Sequence, residues 1–138
     1  MKNRLRTELA ESNQYYVQKH RYLELKYFCF QYPIWRKEYL QITALDDYSG
    51  YHSVHKSPKI SSPTEETATK KLILSEKIEL IEKTAKEVDD IMSTYILKGV
   101  TEDVSYDFLK LRLNIPCCRD TYYNLYRKFF WVLSRKRD

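Results

Sequence analysis

The stretch from Asn114 to Phe130, NIPCCRDTYYNLYRKFF, combines two adjacent cysteines with arginine, aspartate, asparagine and lysine side chains set among aromatic residues. Residues of these types perform three kinds of chemistry. Cysteine thiols bind metals or undergo redox reactions, whereas arginine, asparagine and lysine side chains bind nucleic acid. The spacing of the residues decides among these three kinds of site.

The cysteines do not predict a metal site. Cys117 and Cys118 are adjacent, whereas zinc ligands are usually separated by about two to four residues. His52 and His55 have the spacing of a ligand pair, but no suitably spaced cysteine pair accompanies them. Cys118 lies beside Arg119 at a predicted helix N-terminus, where the pKa of a thiol is lowered, so a redox-sensing thiol is an alternative to the packing or capping role that we favour.

The sequence also lacks the motifs of common enzymes. It contains no glycine-rich phosphate loop, no GxSxG nucleophile motif and no HExxH metal motif. We therefore predict that the protein is not an enzyme and that it uses no cofactor and no metal.

The polar residues of the opening stretch fall mainly on one side of a helix predicted from about Cys118 to Ser134. The apolar face of this helix contains Tyr122, Leu125, Phe129, Phe130 and Leu133. The remaining positions hold Arg119, Asp120, Thr121, Tyr123, Asn124, Arg127 and Lys128. Arginine can bind the edge of guanine through two hydrogen bonds, and asparagine can bind adenine in the same way. The basic residues expected to neutralise phosphates are Arg127, Lys128, Arg135, Lys136 and Arg137.

A shorter helix is predicted just before this one. Residues 105–113 have the pattern of a helix with Phe108, Leu109 and Leu113 directed inward. Asn114 suits a left-handed turn position, and Ile115 can fill the core beneath the turn. Helix, short turn and a second helix with polar and basic residues outside form a helix-turn-helix pattern, which predicts double-stranded DNA as the partner. The alternative is a packing motif with ordinary charged faces.

Composition and charge also limit the possible partners, the fold class and the location of the protein. The 138-residue chain has a formal net charge of +5, and residues 117–138 carry 6 basic and 2 acidic side chains. A basic C-terminal helix is a hint of nucleic acid, although a solvated surface explains it equally well. With 2 glycines and 4 prolines, the chain favours long helices and an all-α fold. The absence of a long apolar segment, of a secretory signal and of an even cysteine count predicts a cytoplasmic protein without a membrane span.

Three segments are predicted to precede the helix-turn-helix unit of residues 99–138. Residues 1–45 form an N-terminal helical arm, with a helix from about residue 12 to 31 that Pro33 interrupts. The apolar stripe of this arm comprises Tyr16, His20, Leu23, Tyr27, Phe30 and Ile34. Residues 46–63, rich in serine, proline and glycine, form a linker loop.

Residues 64–98 are predicted to form one long helix that Gly99 ends as a C′ residue. Its apolar positions alternate at intervals of four and three, which is a heptad rhythm. They are Leu74, Ile78, Ile81, Ala85, Val88, Met92 and Tyr95. Such a helix pairs either with the arm of the same chain, which the matching stripe favours, or with a second copy in a homodimer.

The segments DVSYDFLKLRLNIP and CRDTYYNLYRKFF resemble the two helices of region 4 of bacterial sigma factors, whose first helix and turn run approximately GLSYEEIAEILGIP. Over residues 78–133 the chain also resembles the small phage and prophage late-transcription regulators of the ArpU/RinA type. This resemblance implies a sigma-like helix-turn-helix with Arg119, Asp120, Thr121, Asn124 and Lys128 facing DNA. Asn114 stands where the family usually has glycine, and the second helix is unusually aromatic.

Two functions are consistent with these patterns. The first is a sequence-specific transcriptional regulator of phage or prophage origin that reads the major groove with its C-terminal helix. RNA polymerase is a further candidate partner in that case, through a surface containing Tyr15, Tyr16, His20, Arg21 and Trp35, unless these residues pack against the long helix. The second function is a protein-interaction module, such as a phage structural or anti-regulator protein, that works through the heptad helix and keeps the helix-turn-helix as a scaffold.

Overall fold

The computed structural model describes residues 11–52 and 61–137 of the chain, and these residues form α-helices and no β-strand. The helices are α1 (Lys19–Phe30), α2 (Tyr32–His52), α3 (Ser61–Val88), α4 (Ser93–Glu102), α5 (Tyr106–Leu113) and α6 (Arg119–Lys136). The predicted all-α class is therefore confirmed. Within the described ranges, no helix combines the length and the apolar composition that crossing a membrane requires.

The chain divides into two compact units, and the first combines the chain up to Gln31 with the chain from Leu80 onward. In this unit α1 packs against α4 and α6, and α4 packs against α5 and α6. Each large apolar side chain that is fully buried contributes about 1.5–3 kcal/mol to stability. The fully buried residues of this core include Leu25, Ile81, Ile96, Leu109, Ile115, Tyr122, Tyr126, Phe129, Phe130 and Leu133.

The apolar stripe predicted for the N-terminal arm is wrong. Helix α1 begins only at Lys19, where the Gln18 side chain accepts hydrogen bonds from two backbone N–H groups. The buried face carries Tyr22, Leu25, Phe28 and Cys29, whereas Tyr27 is 62% exposed. Aromatic residues lie on both sides of this helix, and the contact between the rings of Tyr22 and Phe130, 5.0 Å apart, selects the side that faces the core.

The predicted interruption at Pro33 is present, but the predicted linker of residues 46–63 differs from the structure. Helix α2 begins at Tyr32 with Pro33 in its first turn, which agrees with the predicted interruption by proline. The same helix continues to His52, so residues 46–52 are helical. Helix α3 begins at Ser61. Residues 53–60, the rest of the predicted linker, lie outside the described part of the chain, as does His55.

The long helix predicted over residues 64–98 is interrupted. It ends at Val88, and α4 begins at Ser93. The Asp89 carboxylate accepts a hydrogen bond from the Met92 N–H at 2.9 Å, and the Ser93 hydroxyl donates to the Asp90 carbonyl at 2.9 Å. Aspartate and serine side chains offer the backbone local partners that compete with continued helix, so the chain turns here.

Burial nevertheless follows the heptad rhythm up to the turn. The stripe residues Leu74, Ile78, Ile81, Ala85, Val88 and Met92 are buried, as predicted. Beyond the turn Tyr95 is only half-buried, and Ile96 is fully buried instead. The change of direction at residues 89–92 therefore moves the core-facing position by one residue.

The prediction that Gly99 ends the long helix is wrong. Gly99 lies within α4 and is buried. A Cβ atom at this position would lie 1.8 Å from the Tyr122 hydroxyl oxygen. An added methyl group would therefore overlap the buried Tyr122 side chain, so glycine at this position permits the close approach of α6 to α4.

The second unit, Tyr32–Glu79, is an antiparallel hairpin of α2 and the N-terminal part of α3. The Lys77 ammonium lies 5.1 Å from the Trp35 ring centre, and the Lys71 ammonium lies 5.6 Å from that of Tyr39. Among the side chains described for this unit, the buried apolar ones are Tyr32, Trp35, Ile42, Leu74 and Ile78. The long helix thus pairs with the arm of the same chain through α2 and not through the stripe predicted for residues 16–34.

Candidate nucleic-acid interface

Helix α5 and the turn after it have the local structure that the sequence predicts. The Ser105 hydroxyl accepts a hydrogen bond from the Phe108 N–H at 3.1 Å and caps the helix. Asn114 has left-handed backbone angles, φ 55° and ψ 47°, and the Ile115 N–H donates to the Leu109 carbonyl at 3.2 Å. These bonds close the helix C-terminus and place Ile115 in the core, where it is fully buried.

The inward face of α5 was only partly predicted. Leu109 is buried, but Phe108 and Leu113 are each 40% exposed. Tyr106 is buried in their place. Its hydroxyl donates a hydrogen bond to the Cys117 carbonyl at 2.5 Å, and its ring centre lies 5.9 Å from that of Tyr122. Residue 108 is two positions further along the helix, about 200° around the axis, and therefore faces outward.

The inward face of α6 is more aromatic than predicted. Tyr126 is buried, whereas the predicted Leu125 is only half-buried. The ring centres of Tyr126 and Phe130 lie 5.1 Å apart, and those of Phe129 and Phe130 lie 5.2 Å apart, both in edge-to-face arrangements. Tyr126 stands one helical turn after Tyr122 and one before Phe130, a spacing that identifies it as a core residue. The buried residues of α6 are Tyr122, Tyr126, Phe129, Phe130, Val132 and Leu133.

The other side of α6 carries the residues predicted to contact DNA. Arg119, Asp120 and Thr121 are exposed in its first turn. Tyr123, Asn124, Arg127 and Lys128 are half-buried in the middle of the helix. Asp120, Asn124 and Lys128 follow each other at intervals of four and form one row along the helix surface. The helix therefore brings an acidic, an amide and a basic side chain into line.

Arg119 is engaged within the protein. Its Nη2 lies 2.5 Å from the Asp107 Oδ1, and its guanidinium lies 5.3 Å from the centre of the Tyr106 ring. The Tyr123 hydroxyl oxygen accepts a hydrogen bond from the Tyr106 N–H at 3.3 Å. Two residues predicted to contact DNA thus hold α5 against α6. Asp107 is not among the predicted site residues, although an acidic residue in the first turn of a helix is a recognisable signal.

The basic residues after Ser134 are also paired inside the protein. Lys136 Nζ lies 3.1 Å from the Glu87 Oε1, and the Arg135 guanidinium lies 4.7 Å from the centre of the Trp131 ring. Arg137 forms an ion pair with Glu24 at 3.5 Å and stacks 4.2 Å from the Phe28 ring centre. The predicted phosphate contacts of Lys136 and Arg137 therefore compete with intramolecular ion pairs.

Arg21 fixes this end of α6 to α1. Its Nη2 donates to the Ser134 carbonyl at 3.1 Å and to the Arg137 carbonyl. Its Nη1 also pairs with Glu24 at 2.6 Å, and this hydrogen bond is the main reason that the pKa of the Glu24 carboxyl is lowered. The predicted polymerase-contact residue Arg21 thus has a structural partner in the helix end itself.

The remaining basic side chains of the predicted interface are Arg127, Lys128 and Arg135. Over residues 11–45 and 65–137, whose side chains are described, none of these three forms an ion pair. The buried Arg127 Nε also has no hydrogen-bond partner in that part of the chain. Positive charge on the outer side of α6 is therefore concentrated on these three residues.

The adjacent cysteines occupy two different environments at the start of α6. Cys118 is the exposed N-cap residue, and its Sγ lies 3.2 Å from the Thr121 Oγ1. This hydrogen bond, helped by backbone N–H groups, lowers the pKa of the Cys118 thiol, whereas burial raises the pKa of Cys117. Both thiols are free, and no cluster of three or more possible metal ligands occurs within the described residues.

The chain matches no model of a known protein family, no curated protein and no solved structure.

Proposed function

We propose that this protein is a sequence-specific DNA-binding transcriptional regulator that places α6 in the major groove. The observation that carries the proposal is the outer side of α6, where Asn124, Arg127 and Lys128 lie on a helix that follows a short helix and a left-handed turn at Asn114. A helix in this position after a tight turn is the element that enters the major groove in helix-turn-helix proteins.

Each polar side chain of this helix has a role in the proposal. Asn124 reads adenine through its amide, and Asp120 accepts a hydrogen bond from the amino group of cytosine. Arg127, Lys128 and Arg135 neutralise phosphates because they have no intramolecular ion pair among the described residues. Thr121 and the first turn of α6 donate to a phosphate at the positive end of the helix.

Arg119 requires an exchange of partners. It reads guanine only after it leaves Asp107, a carboxylate that is 65% exposed and so readily replaced by water. The resemblance to sigma region 4 supports the same assignment, and it extends the proposal to a prophage regulator that contacts RNA polymerase.

The proposal is tested by selecting bound fragments from random duplex DNA and titrating the winning sequence with salt. We expect a motif bound at least about a thousandfold more tightly than scrambled DNA at the same salt concentration. Equal, salt-steep binding to every sequence would show that only charge is recognised and would contradict the proposal.

A protein-interaction module is the second candidate function, and the exposed apolar residues of α5 favour it. Leu111 is 83% exposed and Phe108 is 40% exposed, although both are large apolar side chains on a short helix. Apolar residues grouped in this way are typical of a protein-binding surface. Under this alternative the full chain binds no DNA sequence preferentially, so the same selection distinguishes the two functions.

A further inference from the structure

The hairpin of α2 and α3 contains an open groove with a volume of about 640 Å³. Trp35 and Leu74, both buried, form its apolar floor, and Ile73 lies beside them with 47% of its surface exposed. The charged residues that line the groove are Glu38, Glu65, Glu66, Lys70 and Lys77. A groove with an apolar floor and charged edges has the form of a site for another helix.

The wall that α3 contributes is a regular stripe. Glu66, Lys70, Ile73 and Lys77 are separated by four, three and four residues, so they lie on one side of the helix. Glu66 and Lys77 stand at opposite ends of this stripe, 11 residues or about 16 Å apart. One end of the groove is therefore acidic and the other basic.

The wall that α2 contributes includes two exposed apolar residues. Ile34 and Leu45 are 57% and 62% exposed. They lie four residues before and seven residues after Glu38, so the three share one side of α2. Glu38 itself is held by Lys70 at 3.4 Å. Both helices of the hairpin thus present apolar side chains next to the groove, in addition to those that they bury against each other.

The α3 stripe has a negative charge at one end and a positive charge at the other, so two antiparallel copies of it have complementary charges. If two copies of the stripe run antiparallel about a two-fold axis between residues 71 and 72, Glu66 of each copy faces Lys77 of the other. The two ends then form two equivalent ion pairs, and next to the axis Ile73 of each copy faces the Lys70 of the other, whose ammonium is held by Glu38. An isologous contact of this kind requires the same patch on both molecules, and two hairpins paired in this way form a four-helix bundle.

We propose that the groove between α2 and α3 is the site at which a second copy of this chain docks, so that the protein is a dimer through its hairpins. Charge self-complementarity selects a second copy as the occupant. A basic or an acidic helix of another protein would satisfy only one end of the stripe. The proposal does not depend on DNA binding, and its test contains no DNA.

The test measures the association of the full chain by sedimentation velocity. We expect the parent protein to be dimeric and the single variants Glu66→Lys and Lys77→Glu each to raise the dimer dissociation constant by about tenfold or more, because each places two pairs of like charges in contact. The doubly substituted protein, Glu66→Lys with Lys77→Glu, restores both ion pairs with reversed sign and should again be dimeric.

Two controls separate docking from folding and from bulk charge. Glu66→Lys leaves the contact between Lys77 and Trp35 intact, so its far-UV circular dichroism spectrum should match that of the parent and show that the variant is folded. Lys86→Glu makes the same charge change as Lys77→Glu on an exposed position of α3 outside the groove, and it should not alter dimerisation.

Three results would overturn the proposal. A parent protein that is monomeric up to about 100 µM would leave the groove to a different partner. A dimer that is insensitive to both single variants would place the interface elsewhere on the chain. Failure of the double substitution to restore the dimer, with both proteins folded, would refute the antiparallel pairing of Glu66 with Lys77.

Discussion

The guanidinium of Arg119 and the carboxylate of Asp107 form a 2.5 Å ion pair that joins the first turn of α6 to the first turn of α5. Both side chains are more than half exposed, so the pair contributes about 0–1 kcal/mol to stability. Arg119 therefore has a partner within the protein. If α6 enters the major groove as proposed, Asp107 competes with guanine for this arginine.

We expect Asp107→Asn to strengthen binding of the selected DNA roughly three- to tenfold, because it removes a carboxylate near the phosphates and weakens the hold on Arg119. The free energy of unfolding should fall by less than about 1 kcal/mol. Fluorescence anisotropy at fixed salt measures the affinity. Glu102→Gln, which removes one negative charge from α4, is the matched control and should have little effect. Unchanged affinity in Asp107→Asn would mean that Arg119 does not reach DNA.

Asn124→Ala tests direct reading of a base. We expect it to cost about 1–3 kcal/mol on the preferred sequence and to relax the preference at one position of the motif, because an alanine cannot form the two hydrogen bonds to adenine. Affinities for the four single-base variants of that position give the measurement. An equal loss on all four bases would assign Asn124 to the backbone of DNA.

Lys128→Ala tests neutralisation of a phosphate. The variant should bind all sequences more weakly by a similar factor, and the slope of log affinity against log salt should decrease by about 1. Lys86→Ala, at an exposed position of α3, provides the control for loss of a lysine elsewhere. If the salt slope is the same in parent and Lys128→Ala, this side chain lies away from the phosphates.

Gly99→Ala tests the close approach between α4 and α6. We expect a loss of about 1–3 kcal/mol in the free energy of unfolding, because the added methyl group overlaps the Tyr122 hydroxyl, 1.8 Å away. Urea unfolding measures the loss. Tyr122→Phe in the same protein removes the oxygen and should recover part of it. Full stability of Gly99→Ala alone would show that the two helices separate without cost.

The Cys118 thiol should react with iodoacetamide faster than Cys117 or Cys29. The thiolate is the nucleophile, and the hydrogen bond from Thr121 lowers the pKa of Cys118, so more thiolate is present at neutral pH. The rate should rise with pH through a midpoint below the ordinary value of 9.0. Thr121→Val removes the donor and should move that midpoint upward. Mass spectrometry of labelled peptides identifies the site, and preferential labelling of Cys117 would contradict the assignment.

The sequence predicted the parts of the fold that are encoded locally. The turn between α5 and α6 depends on residues within a few positions of each other, namely the Ser105 cap, the left-handed Asn114 and the Ile115 plug. The buried stripe of α3 was also predicted correctly. This helix has only one apolar face, so its sequence alone identifies the side that is buried.

The parts that failed depend on residues distant in the sequence. Helix α1 carries aromatic residues on both sides, and only its contact with Phe130 decides that Tyr22 and not Tyr27 is buried. The role of Gly99 depends on the Tyr122 hydroxyl, 23 positions further along the chain. The ion pairs of Arg119 with Asp107 and of Arg137 with Glu24 were not predicted, because a sequence shows the sign of a charge but not its partner.

The bonds from Arg21 to the end of α6 join segments separated by 113 and 116 positions. Contacts of such large sequence separation form late, because the chain between them must first be closed into a loop. During synthesis, α1 therefore cannot pack against α6 until almost the whole described chain has been made. The hairpin of residues 32–79 depends on nearer contacts and can fold first. The first unit thus begins nearer the N-terminus than the hairpin but is completed after it, because its second part lies beyond residue 79.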